Sequence, residues 1–439
     1  MENRIPDLLQ KAYFYTLPLM IMDATHVKMT NTVKATDLQA PKNQFIHALT
    51  LADAKFTDVV TPNVDTIYSQ VYLDLAQDAV VLTMPRTDRF CNAEILDAYT
   101  NCITVLDAGT FEQASQTFLF TGPNFSGPIP EGMIQVASPT ALNWVLIRTI
   151  CFNKEDEAQV HAIQGNMSAC TLAQYQAGTQ NQPPEGIFDP TNNFIPVRQV
   201  LGMSMADYFA RANTLMVTNP PAAEDAPMAA ELAAIGVGPG LTFDSAAFGP
   251  QGETLWREML AQSVPLTLNA SYHFMVQNGT WQYFGKPIAE FGTEYAYRAL
   301  VALAGFGANP VSVAVYPKNE VDSQGQRLNG QNRYVLHFAA GGLPPVQEKG
   351  FWSITAYNSA TDLLIDNALD RYCINDRSQV QYNQDGSLDI YLQADRPEED
   401  KVSNWLPILE GEFHLFLRIY LPQETVVTNV WKAPAVQRI

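Results

Sequence analysis

The chain has 439 residues, of which 47% are hydrophobic and 16% are charged, and its formal net charge is −19 at pH 7. This composition is typical of a folded globular protein and excludes a disordered chain. The length exceeds what one hydrophobic core usually supports, so we expect two or three domains. The strong negative charge repels phosphate groups, which argues against nucleic-acid binding and against anionic membranes as partners.

The five cysteines indicate a reducing compartment. They are scattered along the chain without a Cys-x-x-Cys pair, a pattern typical of free buried thiols rather than of a disulfide framework. The first residues show no basic segment followed by an apolar run, and no stretch approaches the roughly eighteen apolar residues that a membrane span needs. We therefore expect a soluble, cytoplasmic protein.

The predicted elements begin with an amphipathic helix over residues 7–24, which Pro18 should end or kink near its last turn. A loop then leads to Asn63 and Asp65, directly before a strand over residues 66–75 in which polar and apolar side chains alternate. Its polar face carries Tyr68, Gln70, Tyr72 and Asp74. We expect the strand to continue as a meander through two further strands, at residues 80–84 and 90–99.

The rest of the chain predicts helices between two β regions. Residues 103–151 remain β, residues 152–308 are mainly helical, and residues 309–439 are β again, with hairpin signals such as Asn329-Gly330. Strands, then helices, then strands predict an α+β fold with largely antiparallel sheets. The expected domains are an N-terminal helical segment (1–40), a β domain (41–151), a helical region (152–308) and a second β domain (309–439).

Motifs that often carry catalytic chemistry have ordinary structural explanations in this chain. Residues 202–206 resemble a nucleophile elbow around Ser204, but the last position is Ala206 rather than glycine. Ser204 with Asp207 three residues later is also a common helix cap. The six histidines show no metal-ligand spacing, and no phosphate-binding glycine loop is present. We expect neither a metal ion nor an organic cofactor.

A set of polar and aromatic residues in the two β regions is the remaining candidate for a site. Asp65 or Tyr68 could move a proton and Arg371 could bind a carboxylate or an oxyanion, so these three are the candidate catalytic residues. The candidate substrate-binding residues are Asn63, Tyr99, Asn101, Trp352, Tyr357, Asn367, Tyr372, Asn404 and Trp405. The alternative is that the Asn and Asp side chains cap turns and that the arginines pair with them structurally.

These residues lie in motifs that resemble a known family. Residues of about 45–170, with Thr61-Pro62-Asn63-Val64-Asp65 and Leu96-Asp97-Ala98-Tyr99, are similar to domain of unknown function 1254. Residues of about 310–425, with Arg371-Tyr372 and Asn404-Trp405-Leu406-Pro407, are similar to domain of unknown function 1214. The chain thus resembles bacterial proteins that join the two domains. This resemblance implies β-sandwich or jelly-roll-like domains with an adjoining helical region, and it supplies no established catalytic residue.

The function depends on whether the two β regions pack together. If they do, they form a polar, aromatic pocket, and the leading interpretation is a cofactor-free enzyme of hydrolase or isomerase type acting on a small organic or sugar-like molecule. The competing interpretation is a non-catalytic protein that binds a carbohydrate or a partner, and a homo-oligomer fits either one. A cleft that buries Asp65 and Arg371 favours the enzyme, whereas a flat, exposed aromatic strip favours the binding protein.

Overall fold

The computed structural model of the protein describes residues 5–57, 59–249 and 251–439. Helices account for 28% of the residues and strands for 26%, and the strands form several mainly antiparallel sheets. The predicted α+β class is therefore confirmed. None of the helices in these ranges is long and apolar enough to cross a membrane.

Helix α1 is the centre of a helical layer. The helices are α1 (Ile5–Met29), α2 (Glu157–Gln164), α3 (Leu172–Gln176), α4 (Pro196–Leu201), α5 (Met205–Thr218), α6 (Ala226–Ala233), α7 (Gly252–Ala261), α8 (Ser263–Ser271), α9 (Tyr295–Ala304) and α10 (Glu424–Val427). Helix α1 contacts α4, α5, α6 and α9. This layer covers the sheet of the first β region, since Tyr72 and Trp144 of that sheet belong to the same hydrophobic core as α1.

Two sequence predictions concern these helices. Of the two outcomes predicted for Pro18, an end or a kink of α1, the end is wrong, because the helix continues to Met29. Residues 12–24 are buried on every side of the helix, and this packing outweighs the hydrogen bond that a proline removes. The capping interpretation of Ser204 is confirmed: its side chain accepts a hydrogen bond from the backbone N–H of Asp207 at 3.1 Å and begins α5.

The first β region contains two sheets with a shared core. Its strands are β1 (Phe45–His47), β2 (Thr66–Asp74), β3 (Val80–Pro85), β4 (Cys91–Leu96), β5 (Cys102–Asp107), β6 (Ser115–Thr121), β7 (Ile134–Ala137), β8 (Leu142–Ile150) and β9 (Ser168–Thr171). One sheet has the order β1-β2-β8-β4-β5 and the other the order β7-β6-β3-β9. Val71 and Ile147 of the first sheet pack with Leu82 and Phe118 of the second.

The predicted meander is wrong, although the faces of β2 were predicted correctly. Strands β2 and β4 both pair with β8, which lies between them, while β3 belongs to the other sheet. Strand β8 is buried at every position and therefore takes the centre of its sheet. Alternation along a strand specifies which side chains share a face but not which strand lies beside it. Ile67, Val71 and Leu73 are buried in the core, and Tyr68 lies on the opposite face.

The second β region also has two sheets around one core. Its strands are β10 (Met275–Asn278), β11 (Trp281–Phe284), β12 (Ala314–Val315), β13 (Lys318–Asn319), β14 (Tyr334–Phe338), β15 (Val346–Asn358), β16 (Cys373–Asn375), β17 (Leu388–Gln393), β18 (Trp405–Pro407), β19 (Phe413–Pro422) and β20 (Val436–Arg438). The larger sheet has the order β10-β11-β13-β19-β15-β16, with β12 also on β19, and the smaller the order β18-β17-β14-β20. The segment 152–308 thus supplies β9 to one region and the β10–β11 hairpin to the other.

The two β regions contact each other directly, which is the condition for a pocket between them. The ring of Phe90, just before β4, lies 5.3 Å from the ring of Phe351 and 5.2 Å from that of Tyr420. The Arg377 guanidinium forms an ion pair with the Asp65 carboxylate, with 2.9 Å between nitrogen and oxygen. Apolar and charged contacts therefore join the two regions across one interface.

Replacement of Trp352 by alanine should destabilise the protein by about 3–5 kcal/mol, because truncation of a buried aromatic side chain removes apolar contacts and leaves a cavity. Trp352 is 3% exposed in the core of the second β region, and its ring lies 5.9 Å from that of Phe338. Chemical denaturation measures the change. Tyr382→Ala is the control, since Tyr382 is 55% exposed and its loss should change stability by about 0.5 kcal/mol or less. Equal effects in the two variants would contradict this packing.

Candidate functional site

A cavity of about 2120 Å³ lies between the two β regions and the helical layer. Its lining includes residues of strands β2, β8 and β19, the β10–β11 hairpin, helix α8, and the loop segments 48–53 and 59–63. Ligand pockets typically measure about 300–1,000 Å³, so this space is large enough for a sizeable organic molecule. Its lining is more apolar than polar, and one group of polar side chains lies where the two β regions meet.

Three tyrosines are among the polar residues of the lining, and we refer to Tyr68, Tyr316 and Tyr420 as the tyrosine cluster. Tyr68 lies on the cavity face of β2, Tyr316 follows β12, and Tyr420 is near the end of β19. The rings of Tyr316 and Tyr420 meet nearly at right angles, with 5.9 Å between their centroids. One tyrosine thus comes from the first β region and two come from the second.

Asn63 fixes the hydrogen bonding of two of these phenols. Its Oδ1 accepts the backbone N–H of Asp65 at 2.7 Å, so its Nδ2 must be the atom that faces the tyrosines. That Nδ2 donates to the Tyr420 hydroxyl at 2.6 Å and lies 3.4 Å from the Tyr68 hydroxyl. Both phenol oxygens therefore act as acceptors towards Asn63.

Asn309 does the same for the third phenol. Its Oδ1 accepts a hydrogen bond from Arg148 Nη1 at 3.1 Å, and a guanidinium can only donate. Its Nδ2 therefore donates to the Tyr316 hydroxyl at 2.7 Å. In the tyrosine cluster, each phenol oxygen accepts from an amide, and each phenol proton is left to donate elsewhere. Within the described ranges, no protein acceptor lies within hydrogen-bond distance of these protons.

Two buried arginines lie beside the tyrosine cluster. Arg148 Nη1 donates to Glu94 Oε2 at 2.8 Å and its Nη2 donates to the Gly307 carbonyl, so its charge has a carboxylate partner. The guanidinium lies 5.7 Å from the centre of the Tyr68 ring. Burial opposes the charge, but Glu94 and the three phenols outweigh this effect and hold the pKa of Arg148 above its ordinary value.

Arg418 differs because its hydrogen-bond partners are neutral. It is 5% exposed and donates to the Thr61 carbonyl at 2.9 Å and to Thr355 Oγ1 at 3.3 Å. Its guanidinium also lies 5.5 Å from the centre of the Tyr357 ring. No carboxylate of the described residues lies within ion-pair distance of Arg418. Burial lowers the pKa of Arg418, but neighbouring groups that include the more distant Asp65 carboxylate hold it above its ordinary value. The cavity lining therefore includes a buried positive charge without a carboxylate in direct contact.

The environment of the tyrosine cluster keeps its buried phenols protonated. Burial raises the pKa of Tyr316 and raises that of Tyr420 well above 10. The neighbouring phenols raise the pKa of Tyr420 further, while Arg148 and Arg418 oppose the shift. At neutral pH these hydroxyls are hydrogen-bond donors of fixed position.

Asp65 holds the two β regions together and does not line the cavity. Its side chain is fully buried, and Oδ1 accepts from Arg377 Nη2 at 2.9 Å, while Oδ2 accepts from Ser353 Oγ. The structure thus resembles the alternative considered from the sequence, in which Asp65 pairs with an arginine structurally. That arginine is Arg377 of the second β region.

Arg371 is not brought to Asp65. Its Nη1 donates to the carbonyls of Val402 and Trp405 at 2.6 and 2.9 Å, because the turn held by Asn367 points it towards the short helix before β18. The structure therefore does not bring the candidate catalytic residues Asp65 and Arg371 together: the carboxylate has Arg377 as its partner, and Arg371 donates to backbone carbonyls.

The candidate binding residues separate into two groups. Asn63 lines the cavity together with Tyr68. The others form internal hydrogen bonds or pack in cores and are absent from the lining. Three of them donate to backbone carbonyls: Tyr99 to Asn219, Tyr357 to Pro62 and Trp405 to Gln393. Two donate to carboxylates, Asn101 to Asp97 and Tyr372 to Asp370. Asn367 and Asn404 donate to backbone carbonyls of nearby turns, and Trp352 lies in the core.

Sequence reasoning missed Arg148, Arg418, Tyr316 and Tyr420 as site residues. A signal was present for the two arginines: each interrupts a strand that is otherwise apolar or buried, and a charge in such a strand needs a partner or a function. In the described part of the chain, no group of three or more His, Cys, Asp or Glu side chains is arranged to hold a metal ion.

The fold and the cavity define an α+β protein in which two β regions enclose one site. Comparison with protein families matches residues 42–170 to a protein of unknown function (DUF1254) and residues 313–424 to a protein of unknown function (DUF1214). The chain belongs to the proteins that join these two domains, as the sequence motifs indicated. Tyr68 and Arg148 lie in the first match and Tyr316, Arg418 and Tyr420 in the second, so both domains build the site.

One solved structure supports the fold. The VPA0106 protein from Vibrio parahaemolyticus is similar over 99% of both chains, with 21% sequence identity and a TM-score of 0.73. An uncharacterised protein from Burkholderia cenocepacia is more distant, with 13% identity, a TM-score of 0.47, and coverage of 100% of this chain and 94% of that one. A search of curated proteins found no match.

The Asp65→Asn variant should be less stable by about 2 kcal/mol or more, because it removes the buried carboxylate partner of Arg377 and leaves that guanidinium only the more exposed Asp376. Arg371→Gln is the comparison, since it removes hydrogen bonds to carbonyls but no ion pair. A double-mutant cycle of Asp65→Asn with Arg377→Gln, measured by denaturant unfolding, should give a coupling energy of about 1 kcal/mol or more. Additive effects would show that the ion pair does not hold the interface.

Proposed function

We propose that the protein binds a small organic molecule whose carbonyl or carboxylate oxygen is held by the tyrosine cluster. The observation that carries this proposal is the set of three phenol protons without a protein acceptor beside a large cavity. Buried donors are nearly always paired, so three unpaired donors at one place support a ligand oxygen or water as their partner. The raised pKa of Tyr420 keeps that phenol in the donating form.

The cavity lining also includes a stack of three aromatic rings. The rings of Tyr72 and Trp144 stack at 5.6 Å with an angle of 6° between them, and Phe306 stacks on Trp144 at 5.0 Å. All three residues belong to the cavity lining. A ligand with an oxygen-bearing head and an apolar or ring-shaped body would place each part against matching groups.

Catalysis of hydrolase or isomerase type is a second candidate, favoured by the fixed position of the phenol donors. When water adds to a carbonyl carbon, or when a proton leaves the neighbouring carbon, negative charge develops on the carbonyl oxygen. Donors that are already oriented towards that oxygen stabilise this charge without rearrangement, as in an oxyanion hole. Arg418 would add a positive charge on the same side. In this proposal Arg418, rather than Arg371, binds the carboxylate or the oxyanion.

Tyr420→Phe should weaken the binding of such ligands by about tenfold or more, because it removes a hydrogen-bond donor and leaves the rest of the ring in place. Calorimetric titration with a panel of carboxylates, ketones, esters and monosaccharides measures the affinities. If the protein is also an enzyme, the variant should lose about a hundredfold in kcat on a substrate from the panel, more than it loses in binding.

Tyr297→Phe is the matched control. Tyr297 is also fully buried, but its hydroxyl donates to the Gly285 carbonyl at 2.8 Å and does not line the cavity. The control should lose about 1 kcal/mol of stability and bind the panel as the wild type does. Absence of binding to any panel member, or an equal loss of affinity in both variants, would overturn the proposal.

A further inference from the structure

We propose that the ligand is a long-chain aliphatic carboxylate, with its head at the tyrosine cluster and its chain along the apolar wall to the mouth of the cavity. This inference rests on the proposed function and names the class of ligand. It follows from the size of the cavity, the course of its apolar wall, the exposed side chains at its mouth and the charge beside its polar end.

The volume exceeds the needs of a small polar metabolite. At about 2120 Å³ the cavity is roughly twice the upper size of common ligand pockets. A monosaccharide or short acid would leave most of the apolar lining in contact with water. Burial of apolar surface supplies most of the free energy for binding in such a space, and a long aliphatic chain supplies that surface.

Helix α8 provides a continuous apolar stripe along the cavity. Val264 and Leu268 of α8 and Tyr272, the residue directly after the helix, follow one another at intervals of four residues and all line the cavity, so they lie on one side. Eight residues at helical spacing span about 12 Å. The stripe is therefore long enough to run beside an extended aliphatic chain of the ligand and is longer than a single sugar ring. Phe284 of β11 also lines the cavity and packs with the same core as Leu268.

The mouth is lined by aliphatic side chains that are unusually exposed. These residues are 47–59% exposed and come from separate parts of the chain: Leu38, Leu49, Val59, Val60, Ile195 and Val264. Single exposed apolar residues are normal on a protein surface, but their concentration around one opening indicates a path for an apolar ligand. An apolar chain that reaches the opening would cover part of this surface.

The charge near the tyrosine cluster specifies a carboxylate head. The protein carries a net charge of −19, so an anion is repelled by most of its surface. Arg418 lines the cavity, is 5% exposed and has hydrogen bonds only to neutral oxygens. A carboxylate can accept the phenol protons of the tyrosine cluster and balance this guanidinium at the same time.

Titration of the wild type with butanoate, octanoate, dodecanoate and hexadecanoate tests the inference, at concentrations below micelle formation. Affinity should rise with length, by up to about fourfold for each methylene that enters the cavity. The methyl ester of dodecanoate tests whether the ligand is a free acid or a neutral ester. The free acid should bind more tightly, since the ester carries no negative charge to pair with Arg418. Tighter binding of the ester would contradict the assignment of the head.

Two variants separate the head from the chain. Tyr420→Phe should weaken all four acids by the same factor and leave the dependence on length unchanged. Val264→Asp should reduce the dependence on length, because it places a charge on the apolar stripe. Val217→Asp is the matched control: Val217 is also a helical valine, 60% exposed, and lies outside the cavity lining. This control should behave as the wild type, and melting temperatures verify that all variants fold.

The outcomes distinguish this inference from the proposed function. If short carboxylates or ketones bind and chain length has no effect, the long-chain assignment is wrong and the proposed function stands. If no oxygen-bearing ligand binds at any length, both are wrong. If Val264→Asp changes the oligomeric state instead of the length dependence, the mouth is a contact surface for a second copy, and the long-chain assignment is again wrong.

Discussion

The buried carboxylate of Asp65 is the constraint on which the rest of the site depends. A fully buried charge is stable only when it is paired and hydrogen-bonded, and here the partners, Arg377 and Ser353, belong to the other β region. The two regions must therefore meet at this point and in this orientation. This contact also fixes the position of Tyr68 in the cavity, because β2, which carries Tyr68, begins directly after Asp65.

Asn63 transmits this constraint to the polar end of the cavity. Its carbonyl oxygen is committed to the backbone of Asp65, so its amino group faces Tyr420 and Tyr68. One amide thus links the ion-pair interface to the orientation of two phenols. The turn that contains both residues was singled out in the sequence as a candidate catalytic element, and its role in the structure is to position the groups that line the cavity.

The sequence predicted local features well and long-range pairings poorly. The faces of β2 follow from alternation, and the cap at Ser204 follows from local hydrogen bonding. The position of β3 in a different sheet from β2 could not be predicted in this way, since the neighbours of a strand depend on which buried surfaces are complementary. The pairing of Asp65 with Arg377 rather than Arg371 has the same origin: both arginines lie near one another in the sequence, and only the turns around them decide which one reaches the interface.

The sequence separation of the contacts at Asp65 and Asn63 has a consequence for the order of synthesis. Asp65 is bonded to residues 288 and 312 positions later, and Asn63 to a residue 357 positions later. Domains generally fold in order as they leave the ribosome. Until residues 353 and 377 are synthesised, the Asp65 carboxylate lacks these partners and is expected to stay hydrated. The site is therefore expected to form only when the second β region packs on the first, after nearly the whole chain has been made.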